Sequence, residues 1–290
     1  SSSEPQMTPP SVFEVGAVRV DVLSDGYFLM DVGGVFGLVP RTLWEPLAGS
    51  PDENNRIRLD LNCLLVRDGS RTVLIDTGIG DKIEPRRRET AYPGDYGHLL
   101  ANLTALGVRP AEVDAVINTH LHFDHCGWNT AAVHGALIPT FPNARYYIQR
   151  GEWEASAHPN ERTRATYLAD NLTAIAESDQ VELVEGEQQL TPSLRILPSP
   201  GHTADHAAVV LSSQGETAIY LGDVVQHPLQ IDRPAWISAF DILPLISLET
   251  KKRLVQEAFE SGALLITTHA PYPGAGRIRD EDGRKRYVTE

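Results

Sequence analysis

Six residues, His120-Leu121-His122-Phe123-Asp124-His125, constrain this 290-residue chain more than any other stretch. They directly follow VDAVINT, an apolar run that reads as a buried strand, so four ligand-type side chains stand where a strand ends. Alternate residues at the end of an extended strand share a face, so His120 and His122 converge on one point. If the chain then turns into a helix, Asp124 and His125 swing toward a second point nearby. Imidazole and carboxylate are the donors that borderline cations such as Zn²⁺ accept. One such histidine would read as an ordinary loop residue, but a cluster capping a strand does not.

Other segments repeat this placement. Gly201-His202-Thr203-Ala204-Asp205-His206 follows the strand-like RILPSP. Asp223 ends TAIYLGD, where an unpaired buried charge would be costly, and His269 closes LLITTH. Five histidines and two aspartates thus stand at the C-terminal ends of expected strands, where loops carry function. Seven donors are too many for one zinc ion and suit two. His120, His122 and His202 are expected on the first ion, Asp124, His125 and His269 on the second, and Asp223 between them.

The organisation around these loops is mixed. Residues 1–11 are Ser/Pro-rich and read as a flexible N-terminal arm, with 12–290 as one domain. Phe13 to Leu23 alternates as a strand, and a loop-like stretch with Gly33-Gly34, Pro40, Pro46 and Pro51 follows. NCLLVR and RTVLID around Asp68-Gly69-Ser70 form a hairpin. Gly97 to Leu106 reads as a helix stopped by Gly107, and Val113–Asn118 and Ala144–Gln149 read as strands. Residues 151–178 read as helical with a break near Pro159. AAVVLSS and ETAIYLGD around Gln214-Gly215 repeat the earlier hairpin, hinting at two related β-rich halves. Leu248 to Ser261 is the clearest helix, with Leu254, Val255, Ala258 and Phe259 on one face, and Ala263–Thr267 is one more strand. This pattern excludes all-α and regular βαβ alternation. It points to an α/β (α+β) arrangement of two packed sheets with helices outside.

The HxHxDH run, the GHTxxH loop, the Asp after an apolar strand and the late His together resemble the metallo-β-lactamase-fold hydrolases, over about residues 12–283. Asp76-Thr77-Gly78 after VLI is similar to the early Asp-containing strand end of that superfamily. The resemblance implies an αββα sandwich of two mixed β-sheets flanked by helices, with a dinuclear site at one edge. It makes Asp76 a group that orients a ligand rather than a ligand itself.

Two divalent ions sharing a water would supply hydroxide at neutral pH, with Asp124 orienting it against a carbonyl or phosphoryl centre. Zn²⁺ is the default, and Fe, Mn or Co are also accepted by such donors. True β-lactamases of this fold usually lack the bridging Asp and the full Asp-His pair. Glyoxalase II types add a C-terminal domain, and only 21 residues follow His269. RNA-processing members need a positive surface, whereas this chain carries a net charge of −14. The basic runs Arg86-Arg87-Arg88 and Arg284-Lys285-Arg286 are short and read as solvated. Many acyl-homoserine lactonases place a Tyr three residues after the bridging Asp, a position held here by Gln226. GDVVQHPLQ and HAPYPGAGRIR look more like the methyl-parathion-hydrolase-like branch.

The expected substrate is therefore a small, neutral ester-type molecule: a lactone, a carboxylic or aryl ester, or an organophosphate triester. The alternatives are an acyl-homoserine lactonase proper and a non-haem iron redox member of the fold. Trp153, Gln226, His227, Trp236, Phe240 and Tyr272 are the expected pocket residues. His206 reads as a structural hydrogen-bonder. Cys63 and Cys126 read as small buried residues in a reducing compartment, so the cytoplasm is expected, although a removed signal peptide would leave the same start. No nucleic-acid or membrane partner is expected, and a homodimer is kept as an option for its assembly.

Overall fold

A computed structural model describes residues 11–290, so the expected arm lies outside the described residues except for Ser11, which opens the first strand. β1 (Ser11–Val15) and β2 (Val18–Asp31) pair antiparallel, so the single strand expected at 13–23 is a hairpin. Its turn needs a glycine: Gly16 has φ 57°, and a Cβ there would strike the Ser213 carbonyl. β2 continues to Asp31 because Ser24-Asp25-Gly26 forms a bulge, not a turn, and the register against β3 (Arg56–Asp68) shifts there. The stretch expected as loop folds into α1 (Val32–Phe36) and α2 (Arg41–Ala48). Asp31 caps α1 by accepting the Gly33 N–H at 2.8 Å.

β4 (Arg71–Ile75) completes the expected hairpin. α3 (Pro85–Thr90), β5 (Gly94–Tyr96), α4 (Leu99–Ala105), β6 (Ala115–Ile117) and α5 (Phe123–Cys126) follow. A hairpin with no sequence signal, β7 (Thr130–Val133) and β8 (Ala136–Pro139), precedes β9 (Arg145–Gln149). The region expected as helical with a break near Pro159 does break there, after α6 (Arg150–Ala157), and resumes only with a 3-10 turn at Ala169–Asn171 and α7 (Thr173–Glu177). Between them the Asn160 side chain accepts the N–H groups of Arg162 and Thr163, a local bonding pattern that competes with helix. β10 (Val181–Val184) ends the first half.

The second half runs β11 (Gln188–Gln189), β12 (Leu194–Pro198), β13 (Ala207–Ser213), β14 (Glu216–Tyr220), α8 (Leu229–Asp232), α9 (Pro244–Ser261), β15 (Leu264–Ile266), β16 (Ala275–Glu281) and β17 (Arg284–Thr289). α9 starts at Pro244, earlier than expected, because proline suits a first helical turn. Leu254, Val255 and Ala258 are buried, but Phe259 stays partly exposed beneath the Lys285 ammonium. The two basic runs are engaged by neighbours. Lys285 and Arg286 pair with Asp280 and Glu281 across the β16–β17 hairpin, and Arg87 and Arg88 lie over the Tyr92 and Tyr96 rings.

Two mixed sheets result, β1-β2-β3-β4-β6-β9-β10 with β5 beside β2, and β11-β12-β13-β14-β15-β16-β17. Their strands alternate between two cores. In β4, Val73 and Ile75 face the space between the sheets while Leu74 faces the helices; in β14, Ala218 and Tyr220 face inward and Ile219 outward. Burial on both faces explains why these strands read as continuous apolar runs. α4 and α7 cover the first sheet and α9 the second, which gives the αββα sandwich. No helix among the described residues is long and apolar enough to cross a membrane.

Candidate metal centre

Every donor-bearing loop leaves a strand at the same edge of the sandwich. β4 ends in Asp76, and β6 leads through Asn118 and Thr119 into the His120–His125 run, whose Asp124 and His125 lie on α5. The second sheet contributes His202 after β12, Asp223 after β14 and His269 after β15. Backbone bonds lock the first two loops together: Asp76 N–H to Ile117 at 2.8 Å, Thr77 N–H to His125 at 2.9 Å, and Gly127 N–H to Gly78 at 2.7 Å.

The seven expected donors meet in two buried groups that share Asp223. His120, His122, His202 and Asp223 form one; Asp124, His125, His269 and Asp223 form the other, with ligand atoms in each group within 4.8 Å of one another. Asp223 Oδ2 lies 3.1 Å from His202 Nε2, 3.1 Å from His125 Nε2 and 3.6 Å from His120 Nε2. Its Oδ1 lies 3.0 Å from His269 Nε2. Asp124 Oδ2 is 3.2 Å from His269 Nε2 and 3.4 Å from His125 Nε2.

The outer nitrogens are tied down. His125 Nδ1 meets Asp76 Oδ2 at 2.8 Å, His202 Nδ1 meets Asp241 Oδ1 at 2.7 Å, His269 Nδ1 meets the Asp60 carbonyl at 2.8 Å, and His120 Nδ1 meets Thr119 Oγ1 at 3.0 Å. Each tether fixes a ring so that Nε2 points inward. Asp76 also accepts the Thr119 N–H and hydroxyl, both at 2.8 Å. His206 is a hydrogen-bonder between loops: Nδ1 meets Ser199 Oγ at 2.8 Å and Nε2 accepts the Asp223 N–H at 3.0 Å.

Fit to cations is tested by what these inward atoms touch. His120 Nε2, His125 Nε2, His269 Nε2 and Asp223 Oδ1 are fully buried without a hydrogen-bond partner, an arrangement that costs stability unless something else satisfies them. Electrostatics agrees. Burial pushes the His202 and His269 rings down, but Asp223 with its neighbouring carboxylates more than reverses this, to about 10 and about 9. Burial and the neighbouring rings push His122 down to about 3. Asp124 and Asp223 are raised by burial, yet the surrounding rings hold both below their ordinary values. The donor set thus combines two ionised carboxylates with five pre-oriented imidazoles, nitrogen and oxygen donors that suit two divalent ions once the rings give up their protons.

The expected pocket residues divide. Gln226 and Trp236 line a narrow pocket against Asp223 that is too tight to admit a water molecule. Phe240 packs on Gly34, and His227 is half-buried beside Phe36 with its Nδ1 accepting the Leu229 N–H at 3.1 Å, a packing role rather than a free donor. The other two expected pocket residues have packing partners of their own. Trp153 packs on the helix-side core of the first sheet. Tyr272 is drawn into the sheet edge, where its hydroxyl accepts the Ser11 N–H and donates to the Val22 carbonyl. Three aromatic residues that sequence reasoning missed stand beside the second group: Phe28 is 5.9 Å from the His269 ring and 6.2 Å from Phe123, which lies 4.3 Å from Tyr92. Glu152 was also missed. It is buried, and it accepts the Leu121 N–H at 3.0 Å and the Tyr167 hydroxyl at 2.9 Å while Tyr167 leans on His122.

Comparison with known proteins places this geometry. The family model described as "Metallo-beta-lactamase superfamily" matches residues 57–257. An N-acyl homoserine lactonase of Bacillus cereus is 26% identical over 179 residues, 58% of this chain and 64% of that protein, so this chain spans slightly under two thirds of that relative's length. A probable metal-dependent hydrolase from Staphylococcus aureus superposes with a TM-score of 0.86 at 26% identity, covering 96% of this chain and 99% of its own. AidC, a dizinc quorum-quenching lactonase solved with a product N-acyl-homoserine, gives a TM-score of 0.79 at 20% identity, with 97% of each chain covered.

Proposed function

Because this chain belongs to the metallo-beta-lactamase superfamily, we propose that it is a metal-dependent hydrolase of small neutral esters, with lactones as the first substrate class to test. One observation carries the reading: two buried donor groups share Asp223, and His120 Nε2, His125 Nε2, His269 Nε2 and Asp223 Oδ1 point into them without a hydrogen-bond partner. The lactonase relatives support the substrate class. Gln226 stands where many acyl-homoserine lactonases have a tyrosine and is engaged with the Ser238 hydroxyl at 2.9 Å, which favours the wider ester class over that one substrate.

His120, His122, His202 and Asp223 would hold one divalent ion, and Asp124, His125, His269 and Asp223 the other. When bound, such a pair supplies Lewis acidity and lowers the pKa of water toward neutrality. The chain's own part is orientation, charge and exclusion of solvent. Asp76, Asp241 and the Asp60 carbonyl hold three rings in register. Asp124, kept anionic by His125 and His269, accepts a hydrogen bond from the attacking water and aims it. Phe28, Phe123 and Tyr92 form an apolar wall beside His269 against which the non-reacting part of an ester would lie.

Metal analysis of the purified protein, coupled to a panel of lactones, aryl esters and phosphotriesters, tests this. About two equivalents of divalent metal are expected, with turnover abolished in His122→Ala and Asp223→Ala. Unchanged turnover in both variants would refute the proposal, and an optical iron signature without ester turnover would replace it with redox chemistry.

A further inference from the structure

Among the described residues, the interior holds a cation that the site described above does not use. Lys251, on the second turn of α9, is only 3% exposed. Its ammonium donates to the Trp236 carbonyl at 2.7 Å, and no carboxylate among the described residues comes within the 4.0 Å of an ion pair. Burying an ammonium with one acceptor for three donors is costly, and a methionine would fill the same space without that cost. The placement therefore calls for a reason in what lies nearby. Lys251 lines the same narrow pocket as Asp223, Asp241 and Ser247. Burial pushes its pKa down to about 8, and the charge of Asp241 pulls back against that shift.

The segment that Lys251 holds leads directly to a donor ring. From Trp236 the chain runs to Asp241, whose carboxylate takes His202 Nδ1 at 2.7 Å. The next residues bond the His202 loop along its backbone, Ile242 N–H to His202 at 3.3 Å and Leu243 N–H to Gly201 at 3.0 Å. α9 grips the same loop independently through the Thr250 hydroxyl, which donates to the Pro200 carbonyl at 2.7 Å. Ser247 packs so closely on Gly201 that a Cβ there would collide with it. Hydrogen bonding alone could anchor this loop. What only a cation adds is a positive charge in the narrow pocket that the buried Asp241 also lines.

We propose that Lys251 is a positioning residue of the metal centre: its ammonium, tethered to Trp236, steadies the Asp241 carboxylate, which in turn fixes the His202 ring toward Asp223. The effect belongs to the group of His120, His122, His202 and Asp223 rather than to the group containing His269. The inference rests on the metal reading above.

The test compares Co²⁺ binding by wild type, Lys251→Met and Lys251→Gln, measured by competition with a chromophoric chelator and by the visible spectrum of the cobalt protein. Glutamine keeps a donor for Trp236 but removes the charge. In both variants one equivalent is expected to bind about 10-fold more weakly, with an altered cobalt spectrum, while the other equivalent is unchanged. Combining Lys251→Met with Asp241→Asn should give a loss well short of the product of the single losses, because both act through one ring. Wild-type affinity in Lys251→Gln would reduce the lysine to a loop tether and overturn the proposal, as would independent effects in the double variant. If circular dichroism shows both metal-free single variants unfolded, Lys251 is a stability residue and the proposal fails. A wild type that binds no cobalt would sink the metal reading itself, a separate outcome.

Discussion

Asp76 adopts φ 58°, a left-handed backbone angle costly for a residue with a Cβ, and its buried carboxylate gathers His125 and both donors of Thr119. Asp76→Ala strands those donors and frees the His125 ring. Stability should fall by about 1–3 kcal/mol per donor left unsatisfied, and metal affinity by about 10- to 100-fold, read by chemical denaturation and chelator competition. The donor rings also set a pH dependence. His202 and His269 lie at about 10 and about 9 in the folded chain, against about 6.5 when unfolded. Their contribution to the metal-free protein is complete below about pH 6.5 and lost as pH rises through those folded values. The loaded protein needs the same rings deprotonated. The gap between the melting temperatures of loaded and chelator-stripped protein should therefore widen from about pH 7 to about pH 9; a constant or shrinking gap would contradict the assignment. The convergence of these seven side chains was legible in the sequence because each stands within a few residues of an apolar, strand-like run. Asp241 and Glu152 were not: they act on residues 39 and 31 positions away, from segments with no pattern of their own.

At the scale of elements, α5 is a single turn that holds two donors and survives by docking. Its C-cap, Gly127, lies so close to the Ile79 carbonyl that a Cβ would overlap it. Gly127→Ala must push α5 away from the loop after β4 and should cost about 1–3 kcal/mol. Weaker retention of metal at Asp124 and His125 should accompany this, and a variant that melts earlier yet binds metal normally would show the two are uncoupled. The same level shows where sequence and structure part. The alternation ends at Leu23, yet Asp25 is buried and accepts N–H groups from Ile79, Gly80 and Leu99, so the strand continues through a bulge at Ser24-Asp25-Gly26. The Ala/Glu/Arg-rich composition of 151–178 suits helix, yet tertiary contacts around Glu152 and Tyr167 leave only its two ends helical. β7–β8, a separate two-stranded hairpin, and β16–β17 escaped because most of their residues stay exposed or half-exposed and impose no apolar pattern.

Across the whole molecule, the donors are divided between the sheets: His120, His122, Asp124 and His125 follow the first, and His202, Asp223 and His269 the second. The two sheets share one inner core, and the Tyr220 hydroxyl from the second donates to the Asn62 carbonyl of the first at 2.6 Å. Unfolding should therefore be a single transition with or without metal, with stripping lowering stability by about 4 kcal/mol at a thousandfold excess of metal over its Kd. Calorimetry showing two separate transitions after stripping would mean that the ions, not the core, join the halves. The layered architecture was legible because strands buried on both faces stand out as apolar blocks. Strand order was not, since pairing depends on contacts far apart in the chain.

The hairpin turns at Gly69, Gly215 and Gly283 all lie at the rim opposite the donors, and a Cβ at any of them would meet nothing within 4 Å. That rim is a natural place for grafting: a fluorophore, a surface linker or an inserted peptide could be joined there while the working end stays unobstructed.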